Sequence, residues 1–163
     1  MAEYFKNERN IEFVFVGDGA SKERLQELVR ESKISNVRFL PYQLKEGLNL
    51  SLCAADIHLI TSRKGLAGLL VPSKVYGILA CGRPFLAWID KDSEISSIAN
   101  NYKCGFIIPP GDVKGMIGYI DWVIKNPDEL VKMGKNGRQA AVNYFDRKIS
   151  TAKFNQMLEN IDA

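Results

Sequence analysis

SRKGLAGLLVPSKVYGILACGRP, residues 62 to 84, reads as a loop leaving a strand, then a helix, then a turn into the next strand. The preceding run Ile57–Thr61 is short, apolar and β-rich, as a buried parallel strand should be. Gly65 and Gly68 loosen the loop. Pro72-Ser73 marks a helix start, with Ser73 able to cap free amides. Gly82 stands where a helix C-terminus needs a left-handed residue, and Pro84 stops any continuation. Arg63, Lys64 and Lys74 crowd the front of this helix, where the dipole is already positive. Cations there are locally unfavourable unless an anion lies between them and the unpaired amides. A diphosphate fits that description, so the stretch is expected to be the phosphate site of a nucleotide-binding α/β domain.

The chain around it supports one Rossmann-like domain. Its 163 residues are enough to bury roughly two thirds of the unfolded surface. Apolar content of 46% and charged content of 25% are ordinary globular values. The net charge of +3 is small and dispersed, with no basic run interleaved with stacking aromatics, so nucleic acid is not expected as a partner. Cys53, Cys81 and Cys104 are odd in number and lie in apolar runs; they read as buried thiols in a reducing compartment. The first residues lack the apolar core of a signal peptide, and no apolar stretch approaches the roughly 20 residues of a membrane span. A cytoplasmic protein, at most peripherally associated with a membrane, is the expectation.

Met1–Asn10 is polar and reads as a helix tail or a loose leader. Ile11–Val16 is an apolar strand ending in the turn Gly17-Asp18-Gly19, and Ser21–Ser32 is an amphipathic helix with Leu25, Leu28 and Val29 on one face. Val37–Leu40 is the next strand, ending at Pro41-Tyr42. Gly47–Ala55 has helical spacing and leads through Asp56 into Ile57–Thr61. After the central helix come a strand at Phe85–Ile89, a helix at Asp92–Asn101 and a short strand at Gly105–Ile108 closed by Pro109-Pro110-Gly111-Asp112. Asp112 is placed to cap the helix Val113–Lys125. Helices over Asp128–Tyr144 and about 147–161 complete the chain, the last with Phe154, Met157, Leu158 and Ile161 on one stripe.

Short βα units of this kind predict a parallel sheet covered on both faces. Ligands of such sheets bind at the carboxyl ends of the strands. The loops there are Gly17–Ser21, Pro41–Lys45, Ser62–Ser73, Asp90–Glu94 and Pro109–Asp112. Gly17-Asp18-Gly19 is not a full dinucleotide fingerprint, because Lys22 stands where the third glycine is needed. The sole histidine, His58, lies inside a strand and reads as a satisfied core residue. No P-loop, zinc spacing or nucleophile elbow is present, so no metal and no general base is assigned.

The order of the pieces carries more information than any one of them. Phe15-Val16-Gly17-Asp18-Gly19, Val37-Arg38-Phe39-Leu40, Ala55-Asp56-Ile57-His58-Leu59, Pro72-Ser73-Lys74 with Ala80-Cys81-Gly82-Arg83-Pro84, and Gly105 with Pro109-Pro110-Gly111-Asp112 follow one another. This succession resembles the C-terminal half of GT-B glycosyltransferases. It is most similar to the GT4-type retaining enzymes of capsule, O-antigen and colanic-acid synthesis, as far as Met133-Gly134-Lys135-Asn136-Gly137-Arg138. The resemblance implies binding of a nucleotide-diphosphate sugar, commonly UDP-linked. By position, Gly17 and Gly19 would border the phosphate side of the cleft, and Pro41 and Tyr42 would meet the base. Ser62, Arg63 and Lys64 would lead into the sugar-facing loop. Val71, Pro72, Ser73, Lys74 and Val75 would present helix-start amides to the diphosphate, with Lys74 as counter-charge.

Two departures from that family are visible. Its paired glutamates, which meet the donor sugar and the ribose, would fall at Leu69 and Gly77, and neither is acidic. The chain also starts after the family's first strand and Arg/Lys loop, and without its N-terminal acceptor-binding domain. The resemblance therefore implies that the sheet closes up or that another chain fills the gap, by self-association or through a partner polypeptide. The last helix would pack toward that N-terminal domain. Two functions are expected from these features. One is the donor-binding half of a surface-polysaccharide glycosyltransferase; the other is a non-catalytic or split-subunit module completed by an acceptor-binding partner.

Overall fold

The structure, a computed structural model, describes residues 1–62 and 73–160. The chain divides into two compact units, Met1–Ser51 and Leu52–Ala163.

In the first unit, β1 (Phe13–Val16) pairs in parallel with β2 (Val37–Leu40), Phe13 opposite Val37 and Val16 opposite Leu40. The helix α1 (Lys22–Glu31) connects them. The strand expected from Ile11 begins at Phe13 because its partner offers only four residues to the ladder. Stacked rings of Phe15 and Phe39, 5.2 Å apart, reinforce one face of the pair. Met1–Asn10 is not a loose leader. Phe5 is buried against Phe13, and Asn36 Nδ2 donates to the Phe5 carbonyl at 2.8 Å and to that of Ala2 at 3.2 Å. An aromatic anchor and two hydrogen bonds outweigh the polarity that made the segment read as unattached. A 3₁₀ turn, Lys45–Gly47, precedes α2 (Leu48–Ala54), which runs into the second unit.

The second unit is built on the parallel sheet β3 (His58–Thr61), β4 (Phe85–Trp88) and β5 (Gly105–Ile108), in that order. The central strand β4 buries Phe85, Leu86 and Ala87 completely, as a strand flanked on both edges and covered on both faces must. The helix α3 (Lys74–Ala80) lays Val75, Ile78 and Leu79 into the same core, each worth about 1.5–3 kcal/mol of transfer free energy. α4 (Glu94–Tyr102) starts two residues later than the sequence suggests, because Ser93 takes the cap position and its hydroxyl accepts from Ser96 N. Asp112 caps α5 (Val113–Lys125) as expected, its Oδ1 accepting from Gly115 N at 2.8 Å. α6 (Pro127–Tyr144) and α7 (Arg147–Glu159) form the helical C-terminus.

The α/β class, the parallel pairing and the helical C-terminus match the sequence reading. Among the described residues, hydrogen bonding gives a two-stranded sheet in the first unit and a three-stranded sheet in the second. Strand periodicity fixes which residues extend but not which ladder they join. Each sheet is left with an apolar edge strand. Among the described residues β1 pairs with β2 alone, and its Val14, Phe15 and Val16 are 46%, 47% and 46% exposed, while β3 pairs with β4 alone. The apolar face of α1 is also open, with Leu25 and Leu28 exposed. On α7, Phe154, Met157 and Leu158 are exposed, and Ile161 of that stripe lies outside the described residues.

α3 and α6 approach closely at a glycine seam. Gly82, at φ +64°, ends α3 in the left-handed region, and a Cβ on Gly134 would collide with the Gly82 carbonyl. The substitution Gly134→Ala should therefore cost about 1–3 kcal/mol through overpacking. Urea unfolding of the variant beside the parent checks this; an unchanged midpoint would mean that the seam yields without cost.

Candidate nucleotide site

In parallel α/β sheets, ligands are held at the carboxyl ends of the strands, where loops and helix starts present unpaired amides. In the first unit, Gly17 follows β1 at φ +114°, a conformation open to glycine, and donates its N–H to the Leu40 carbonyl at 3.1 Å. Gly17 and Gly19 both have open space where a Cβ would stand, so the turn leaves room for a ligand. The neighbouring Asp18 carboxylate pairs with Lys22 Nζ at 2.7 Å. Pro41 and Tyr42 follow β2; Tyr42 is 74% exposed, and the Pro41 carbonyl accepts from Gln43 Nε2 at 3.0 Å. An exposed ring beside backbone polar groups is chemistry suited to a base.

In the second unit, Ser62 leaves β3 with its N–H bonded to the Trp88 carbonyl at 3.2 Å. Arg63, Lys64, Val71 and Pro72 lie outside the described residues, as do Leu69 and the two loop glycines. The front of α3 is formed by Ser73 and Lys74, both exposed. Ser73 does not cap the helix. Its backbone is already helical (φ −57°, ψ −19°), which carries the hydroxyl away from the amides a cap would bond. Val75 turns its side chain fully into the core, so it contributes backbone and position rather than a contacting side chain.

Gly77, where the family's ribose-binding carboxylate would stand, packs against Leu52: a Cβ there would sit 3.2 Å from Leu52 Cδ1. A longer side chain at 77 therefore has to displace Leu52. Glu94, the last residue of the strand-end loop Asp90–Glu94, meets the first turn of α3. Tyr76, in the first turn of α3, donates its hydroxyl to Glu94 Oε1 at 3.2 Å, in the first turn of α4. The Tyr76 ring leans on Phe145, centroids 5.4 Å apart, which fixes its direction. Burial, and then the Glu94 charge, push the Tyr76 pKa above its ordinary value, so the hydroxyl stays protonated and donating. Glu94 sits 18 residues away in another βα unit, and no spacing rule connects the two. Nearby, the Trp88 indole N–H is buried with no acceptor among the described residues.

A groove of about 440 Å³ lies at the other end of α3, between Gly82, Lys135, Arg138 and Val142. His58 is the satisfied core residue that its strand position implies: its Nε2–H donates to the Leu52 carbonyl at 2.8 Å. Burial, more than the charge of Arg83, holds its pKa below the usual 6.5, against the opposing pull of that hydrogen bond.

These units define a parallel α/β protein whose strand-end loops and helix starts are where such folds hold ligands. The comparisons with known proteins say which kind. The family described as "Glycosyl transferases group 1" matches residues 1–140, and the chain belongs to it. It is 32% identical over 149 residues to the "Probable glycosyltransferase WbjE" of Pseudomonas aeruginosa, covering 91% of this chain and 36% of that protein. It is 27% identical over 109 residues to WcaI of Escherichia coli (strain K12), whose name describes a colanic acid biosynthesis glycosyl transferase; 66% of this chain and 27% of that protein are covered. Anabaena HepE, crystallised with UDP, superposes on 93% of this chain and 42% of its own at a TM-score of 0.79 and 18% identity. The same protein with UDP-glucose gives a TM-score of 0.77. The chain thus spans about a third of the length of the relatives it matches. Among the described residues, no helix is long and apolar enough to cross a membrane.

The depressed His58 pKa has a stability consequence. In the unfolded chain the imidazole protonates as pH falls through about 6.5, whereas in the folded protein it stays neutral to lower pH. The unfolded state then binds more protons, so stability is intact above pH 6.5 and declines as pH falls below it. Thermal unfolding between pH 7.5 and 5 should show that decline, and His58→Gln should flatten it; equal slopes would contradict the assignment.

Proposed function

We propose that this chain is the donor-binding half of a glycosyltransferase that builds a surface polysaccharide, taking a nucleotide-diphosphate sugar, with UDP as the nucleotide. The observation that carries the reading is membership of residues 1–140 in the glycosyl transferase group 1 family. The names of the bacterial relatives, which include colanic acid biosynthesis, support the polysaccharide role. The complexes of HepE with UDP and UDP-glucose, on the same fold, support the nucleotide.

In this reading Gly17 and Gly19 face the phosphates and Pro41 and Tyr42 the base. Ser62, Arg63 and Lys64 lead to the sugar, while the segment from Val71 to Val75 offers amides to the diphosphate. Lys74 supplies positive charge, and no metal ion takes part. Glu94, steadied by Tyr76, is the carboxylate available to ligand hydroxyls in place of those absent at Leu69 and Gly77. Transfer to a lipid-linked or saccharide acceptor proceeds with retention. The chain's share of the catalysis is positioning and stabilisation of the departing diphosphate. Turnover needs an N-terminal acceptor-binding domain, in the same polypeptide or a separate subunit, and the chain by itself is inactive. Its expected place is the cytoplasm, with at most peripheral contact with a membrane.

A second reading, a non-catalytic or split-subunit module, is favoured by one feature: Leu52 occupies the space that a carboxylate at position 77 would need. Activity that appears only on mixing with an acceptor-binding partner would distinguish a split enzyme from an inert module.

Two measurements test the proposal. UDP titrated to millimolar concentration should shift the amide resonances of Gly17, Ser73 and Lys74, and Lys74→Ala should weaken binding by up to about fivefold, the worth of one exposed ion pair. Unmoved resonances at those positions would overturn the site. The exposed strand β1 and the open face of α1 also predict association with a second copy or another polypeptide. Light scattering at high concentration should report a species larger than the monomer, and a clean monomer would remove that expectation.

A further inference from the structure

The three cysteines were expected to be buried alike, and they are not: Cys53 is exposed, Cys81 half-buried and Cys104 fully buried. Cys53 lies near the end of α2 and Cys81 follows the last residue of α3. Leu52, the residue before Cys53, packs on Gly77, one helical turn before Cys81, so the two thiols come within reach of each other. Both backbones that carry them are anchored. The Arg83 guanidinium donates to the Cys53 carbonyl, and Arg138 Nη1 donates to the Ala80 carbonyl at 2.6 Å. The Cys81 N–H is itself bonded to the carbonyls of Gly77 and Ile78. Two thiols within reach of each other, one open to solvent and both on anchored backbone, suit oxidation better than core packing.

We propose that Cys53 and Cys81 are a reversible oxidation site that forms an intramolecular disulfide on reaction with a low-molecular-weight disulfide. Cys53, the exposed thiol, loses its proton to water and attacks one sulfur of the small disulfide. A mixed disulfide forms and one small thiolate leaves, taking up a proton. Cys81 then loses its proton and attacks the Cys53 sulfur, expelling the second small thiolate. The two protein thiols are oxidised, and one small disulfide is reduced to two thiols. Burial, and then the nearby Cys53, push the Cys81 thiol up to about 11. Little of it is thiolate at neutral pH, which suits it to the second step rather than the first. Cys104, fully buried and likewise pushed up to about 11 by burial, stays out of the exchange. The bond would tie α2 to the C-terminal end of α3, whose other end carries Ser73 and Lys74.

The test is incubation of the full chain with oxidised glutathione, alkylation of remaining thiols and peptide mass mapping. The expected product is a Cys53–Cys81 linked peptide with Cys104 alkylated only after unfolding. Closing this loop should raise Tm by about 5 °C or more, reversed by dithiothreitol. Cys81→Ser should stop the reaction at a glutathione adduct on Cys53, and Cys53→Ser should remove it. A wild-type chain that accumulates the Cys53 adduct with Cys81 still alkylatable, or whose link lowers Tm, would overturn the proposal. So would identical products from the parent and Cys81→Ser.

Discussion

The second unit depends on the burial of one short helix. Val75, Ile78 and Leu79 of α3 are inaccessible to solvent, or nearly so, against β3, β4 and β5, and Gly82, Gly134 and Gly137 let α6 close over the far side. With only seven residues, α3 has little helical stability of its own; tertiary packing must supply it. That packing sets the helix direction, and so sets its first turn, with Ser73, Lys74 and Tyr76, at the end of the sheet where βα loops gather. Those three aliphatic side chains hold the element with Gly77, packed on Leu52, standing where the family carries a carboxylate.

Electrostatics at that end are arranged sparingly. Among the described residues the front of α3 offers one lysine and no side-chain cap, and α4 beside it brings a carboxylate rather than another cation. Lys74 at the positive end of a helix dipole, without an acidic residue in the first turn of α3, is costly in the empty protein and favourable once a polyanion arrives. The Tyr76–Glu94 hydrogen bond couples the first turns of two successive βα units.

Much of this was legible in the sequence. The βα alternation gave the parallel class, the Gly82-Arg83-Pro84 run gave the end of α3, and Asp112 announced its own cap. The position of His58 within an apolar strand foretold a neutral, hydrogen-bonded ring. What stayed hidden was whatever depends on long-range pairing. Nothing in Phe13–Val16 says which strand it would meet. The polar character of Met1–Asn10 concealed Phe5 as a core residue, because a single anchored ring leaves no periodic signature. Ser73 sits at an ideal cap position by spacing, yet its backbone is drawn into the helix. The loop Asp90–Glu94 was placed at the ligand end by the strand order, but the Tyr76–Glu94 hydrogen bond was not, because Tyr76 is near only after two strands have paired.

The central claim is that the diphosphate, rather than the base or the sugar, is what the front of α3 holds. Calorimetric titration with UDP and with uridine, on the parent and on Lys74→Ala, isolates that contribution. The account predicts that UDP binds the parent measurably more tightly than uridine and that the difference shrinks in the variant. Equal affinities for the two ligands, or a difference untouched by the substitution, would contradict it.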